Sequence, residues 1–165
     1  MKNNAFFLFL FVSVIPQLTN AQTEFITIWE TTSAAESITI PLSASTGANL
    51  DIDWGDSTPL ETGLGDNPSH TYTTAGSYVV TVTGTYDRIF FNATGDYNKI
   101  LDVSQWGTNQ WLTMENAFDS CINLEMQAID NPDLSLVTNM DFMFKDAAAL
   151  DQSIDTWDVS NVISM

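Results

Sequence analysis

Basic side chains are nearly missing from this chain. Four Lys+Arg stand against 21 Asp+Glu in 165 residues, for a formal net charge of −17. Such a charge repels phosphate backbones and anionic membrane surfaces, so no nucleic-acid partner is expected. Cysteine is almost absent as well. With Cys121 alone there is no intramolecular disulfide and no multi-cysteine metal centre, and Cys121 itself reads as an inert core thiol. His70 is the one histidine, which excludes a histidine zinc cluster and favours a structural role for the ring. The chain also lacks a Gly-rich phosphate loop, a G-x-S-x-G elbow and a Cys/His pair within reach. Carboxylates are plentiful, yet nothing in the sequence places two of them across a cleft. No catalytic, cofactor-binding or metal residue is therefore assigned, and no enzyme activity is expected.

Long hydrophobic runs are missing too. Residues 5–15 (AFFLFLFVSVI) are apolar but too short to span a bilayer as a helix. Lys2 precedes the run, Pro16 ends it, and Leu18-Thr19-Asn20-Ala21 places small residues around a cut after Ala21. Together these read as a signal peptide over residues 1–21. Gln22 rather than cysteine follows the cut, so a lipoprotein anchor is excluded. Loss of the leader would leave a secreted or cell-surface chain with no membrane insertion.

Residues 22–99 read as all-β. Phe25-Ile26-Thr27-Ile28-Trp29 is β-branched and aromatic. Leu50, Ile52 and Trp54 alternate with Asp51 and Asp53, and Tyr78, Val80 and Val82 alternate with Val79, Thr81 and Thr83. Turn formers at Thr46-Gly47, Gly55-Asp56, Gly63 to Pro68 and Ala75-Gly76 separate these runs. A small antiparallel β-sandwich is predicted, with Trp54 inward, Thr81 outward and Gly76 allowing a hairpin bend. Asp51, Asp53, Asp56, Glu61 and Asp66 crowd one region where hard oxygen ligands could suit calcium. Their spacing is not that of an EF-hand loop, and a solvated acidic face is the preferred reading.

Asp53-Trp54-Gly55-Asp56, then His70-Thr71-Tyr72, then Gly76-Ser77-Tyr78-Val79-Val80-Thr81-Val82 resembles the polycystic-kidney-disease (PKD) type of sandwich. Ser57 stands where that family usually has a second Gly. The resemblance implies a spacer, or a module that contacts protein or carbohydrate.

Residues 100–165 carry an internal repeat. Pro132 to Met140 aligns with Trp157 to Met165 at an offset of 25, and Trp106 and Met114 align with Pro132 and Met140 at 26. Met114, Ala117, Phe118 and Cys121 are spaced like Met140, Met143, Phe144 and Ala147. That spacing predicts one apolar stripe on a short helix in each unit. It favours core packing over a promiscuous Met-rich groove. The run Leu150-Asp151-Gln152-Ser153-Ile154-Asp155-Thr156-Trp157-Asp158-Val159-Ser160-Asn161-Val162 resembles the BspA-like leucine-rich surface repeats. The first unit departs most, with Trp111 in a Val position and Ala117 in a Met position.

The fold expected is therefore mostly β: a small antiparallel sandwich, then the start of a leucine-rich-like solenoid with short helices, continuing past Met165. The BspA-like resemblance implies adhesion or binding at a bacterial surface, with an extracellular protein or carbohydrate as ligand. The alternatives are a structural spacer, or the accessory region of an enzyme whose catalytic domain lies beyond residue 165. No residue is singled out as the one that binds.

Overall fold

The computed structural model describes residues 23–165, so the expected leader over residues 1–21 lies outside the described residues. Six strands form the main sheet: β1 (Phe25–Thr31), β4 (Asn49–Asp53), β5 (Glu61–Leu64), β7 (Gly76–Thr85), β9 (Ile100–Gln105) and β10 (Glu125–Met126). Their order is β10-β9-β1-β7-β4-β5, antiparallel throughout except for the parallel β9–β10 pair. Two short pairs accompany it. These are β2 (Glu36–Thr39) with β6 (Ser69–Tyr72), and β3 (Leu42–Ser43) with β8 (Arg88–Ile89).

Period-two alternation decides which side chains enter the core. Phe25, Thr27, Trp29 and Thr31 of β1 are buried, as are Leu50 and Ile52 of β4 and Tyr78, Val80 and Val82 of β7. Thr27 is tolerated inside because its hydroxyl accepts the Trp29 indole N–H at 2.8 Å. Tyr72 of β6 stacks on Tyr78 of β7 with centroids 3.9 Å apart, so the β2–β6 pair covers the inner face of the large sheet. Trp54 is fully buried, as its strand phase predicts. Thr81 is only half-buried, and Val79, two residues before it, is 52% exposed. Gly76 is absent from the left-handed residues and pairs with Thr31 as a strand residue, so the predicted bend does not use it.

The mostly-β expectation holds, but a solenoid with short helices does not. Among the described residues there is no helix. Where a helix was predicted, residues 114–121 and 140–147 form paired turns. Ala117 and Cys121 donate to the carbonyls of Met114 and Phe118, both at 3.1 Å. Met143 and Ala147 repeat the pattern onto Met140 and Phe144, both at 3.1 Å. The third residue of each turn is left-handed, with φ of 52° at Asn116, 66° at Ser120, 59° at Phe142 and 58° at Asp146.

That geometry turns alternate amides away from their own segment. Met114, Asn116, Phe118 and Ser120 donate to the carbonyls of Asn139, Asp141, Met143 and Lys145 at 3.0, 2.9, 2.8 and 2.7 Å. An α-helix would need those same N–H groups for its own carbonyls. Stacking one unit on the next at the 26-residue offset satisfies them instead, in the manner of a parallel ladder. The apolar spacing was read correctly as inward-facing, for Met114, Ala117, Phe118 and Cys121 are all buried. The period of 3.6 was wrong, because two successive turns place the same four positions inside.

The stack starts earlier than the repeat pattern reveals. Phe91 donates its amide to the Ala117 carbonyl at 3.4 Å, and its ring lies 6.1 Å from that of Phe118. Phe118 in turn stacks on Phe144 at 5.9 Å, with planes 10° apart. β9 pairs with β1, and β10 with β9, so strands of the repeat region extend the sheet built by the preceding residues. One core runs through both.

Candidate binding faces

The acidic residues near Trp54 are each occupied by local structure. Asp53 accepts the Gly55 amide at 2.9 Å, and Asp51 the Gly63 amide at 3.0 Å. Asp66 accepts the amides of Ala48 at 2.9 Å and Ala44 at 3.3 Å, tying two loops together. Asp56 accepts both the amide and the hydroxyl of Thr58, at 3.0 and 2.6 Å. His70 lies between Asp56 and Glu61, its Nε2 2.9 Å from the first and its Nδ1 3.2 Å from the second. The imidazole stacks on Trp54 at 5.1 Å, and the Tyr72 hydroxyl donates to the Trp54 carbonyl at 3.0 Å. His70 therefore braces the turn after β4 against β5 and β6. Among the described residues no three His, Cys, Asp or Glu side chains are placed to hold one metal ion. Cys121 is free and buried, and burial pushes its thiol well above the ordinary range.

Asp56 carries a measurable consequence. Partial burial raises its pKa, but hydrogen bonds from Thr58 and His70 and the His70 charge outweigh that and bring it from 3.8 to about 2. A depressed carboxyl stabilises the fold above its unfolded pKa, and that contribution disappears as pH falls through the folded value. Asp56→Asn is therefore expected to unfold at lower urea than wild type at pH 7. The gap between the two midpoints should narrow as pH falls from about 4 to about 2. A gap that stays constant over that window would show that Asp56 is not held by these partners.

The repeat units bring a second set of residues together that sequence reading did not single out. Trp111 and Val137 are buried and Val162 is half-buried, at corresponding positions of three successive units. The residues flanking each are exposed: Gln110 and Leu112, Leu136 and Thr138, Asn161 and Ile163. Cross-unit bonds hold these segments side by side. The Gln110 amide group donates to the Ser135 hydroxyl at 2.9 Å, Asn161 donates its side-chain amide to the Ser135 carbonyl at 2.9 Å, and the Ile163 N–H reaches the Thr138 carbonyl at 2.8 Å. Asp133 and Asp158 shape the approach to the second and third segments. Their carboxylates accept the amides of Ser135 and Ser160, each at 3.0 Å, and the hydrogen bonds from these serines lower both pKa values. The result is a stripe of amide, hydroxyl and aliphatic side chains, bordered by Asp87 and Arg88 beside Leu112 and by Asp133 and Asp158 at the second and third segments. The sequence signal for it was available in the positions either side of each unit's central apolar residue. A helical period makes only the apolar face informative and leaves the positions beside it unmarked.

Over residues 85–165 the chain is similar to one family. That family is described as Mycoplasma protein of unknown function, DUF285. The match begins at Thr85, just before the Phe91 ring that heads the phenylalanine stack, and runs through the whole stripe. No curated protein and no solved structure matches the chain. The family's description assigns no activity, so function rests on the geometry.

Proposed function

We propose that this chain is an exported bacterial cell-surface protein that binds an extracellular protein or carbohydrate through its repeat units, without catalysis. The observation that carries this reading is the stripe of exposed aliphatic side chains at corresponding positions of successive units. On a surface this acidic, solvation alone gives no reason to align Leu112, Leu136 and Ile163 on the outside. Leu112 is 40% and Leu136 48% exposed, a cost that contact with a partner offsets. The leader-like residues 1–21 and the likeness of residues 150–162 to BspA-like surface repeats support the same placement.

The test is binding of the exported chain to immobilised extracellular glycoproteins, both intact and enzymatically deglycosylated. Saturable binding is expected, and the double substitution Leu136→Asp with Ile163→Asp should weaken it at least about tenfold without changing the melting temperature. If no saturable binding is seen, or the double variant binds like wild type, the repeat face is not a docking surface. A spacer role would then fit better, since the sheet shared by β1, β9 and β10 already makes the two regions rigid with respect to each other.

A further inference from the structure

A cavity of about 310 Å³ opens where the N-terminal end of the described chain, the end of β7 and the first repeat unit meet. Thr23, Thr83, Tyr86, Thr108, Asn109 and Gln110 line it, and no charged side chain does. Tyr86 is only 4% exposed, and its ring is fixed by edge contact with Trp111 at 5.5 Å and by Phe25 at 6.3 Å. Its hydroxyl nevertheless makes no hydrogen bond among the described residues. Burial pushes that phenol up, so it stays an O–H able to donate and accept. The Asn109 side-chain nitrogen is also buried without a hydrogen-bond partner. Buried polar groups normally find partners, so the unpartnered Asn109 nitrogen, at a polar cavity that Tyr86 also lines, marks a place where a ligand can supply one.

The lining selects the chemistry of that ligand. Three threonine hydroxyls, a phenol and two carboxamides offer donors and acceptors in close alternation. A cation would need carboxylates and finds none in the lining. An anion meets no basic group there and an unfavourable field from a chain of net charge −17. The volume is at the lower end for small-molecule sites. We infer that this cavity is a binding site for a neutral saccharide, with the Tyr86 hydroxyl and the Asn109 amide contacting ring hydroxyl groups. The inference goes beyond the stripe reading and does not depend on it, although Gln110 borders both surfaces.

Saturation-transfer NMR and calorimetric titration of the full chain, with glucose, galactose, N-acetylglucosamine and glucuronate, test the assignment. At least one neutral sugar is expected to bind saturably, and glucuronate more weakly than its neutral counterpart. Tyr86→Phe keeps the packed ring and removes only the hydroxyl, so it should fold normally and bind about tenfold more weakly. Asn109→Ala should weaken binding by a similar factor, whereas Leu136→Asp with Ile163→Asp should leave it unchanged. Absence of saturable binding by every neutral sugar overturns the assignment. So does a Tyr86→Phe variant that binds like wild type. Loss of glycoprotein binding in the stripe variant alone, with sugar binding retained, separates the two surfaces.

Discussion

Trp106→Ala is expected to lower stability by about 3–5 kcal/mol, and to do so in one cooperative transition. The indole is 1% exposed and stands at the seam between β1 and the repeat units. Its ring centroid lies 5.8 Å from Phe25, 6.0 Å from Trp111, 6.1 Å from Phe118 and 5.5 Å from Trp157. Phe25 belongs to β1, Trp111 and Phe118 to the first repeat unit, and Trp157 to the third. Truncation leaves a cavity that none of these rings can fill without abandoning another contact. The Trp106 and Gly107 amides are held in addition by the Asp130 carboxylate, at 3.1 and 2.8 Å, so the backbone has little freedom to close the gap. Ile129→Ala serves as the control, since Ile129 is 93% exposed and should shift stability by no more than about 0.5 kcal/mol. Urea unfolding followed by far-ultraviolet circular dichroism and by tryptophan fluorescence reads the result. Equal midpoints for the two variants, or two separated transitions in Trp106→Ala, would mean that the regions do not share one core.

Gly55→Ala should cost about 3 kcal/mol or more, combining left-handed strain with a backbone collision. Gly55 has φ of 76°, and a Cβ there would sit 2.3 Å from the Val79 carbonyl oxygen and 3.0 Å from its carbonyl carbon. That oxygen belongs to the central strand β7, so relief requires either β7 or the turn after β4 to move. Moving the turn breaks the Asp53 bond to the Gly55 amide and pulls Asp56 from His70. Gly47→Ala separates the two contributions. Gly47 has φ of 86°, yet nothing lies within 4 Å of the added carbon. It should lose only the conformational part, about 1 kcal/mol. Thermal melts giving the same loss for both alanines would show that Gly55 does not approach β7 as closely as described.

The sequence alone determined the β character of residues 25–83 and the inward phase of Trp54, Tyr78, Val80 and Val82. Period-two alternation is a local property, and one buried face is enough to reveal it. It also determined the 25- to 26-residue repeat and the inward direction of Met114, Phe118, Met140 and Met143, because identity at fixed spacing needs no geometry. The backbone of those units was a different matter. Offsets of 0, 3, 4 and 7 fit one helix face and two successive turns equally well. What decides between them is where the amides of Met114, Asn116, Phe118 and Ser120 find acceptors, and those acceptors lie 25 residues away. Only the tertiary structure could show that β9 and β10 complete the sheet begun by β1. Only it could show that Phe91 heads the phenylalanine stack, and that Tyr86 and Asn109 meet at one cavity. Each of these is a contact between segments far apart in the chain, and a hydrophobic pattern records that a side chain is buried without recording what it is buried against.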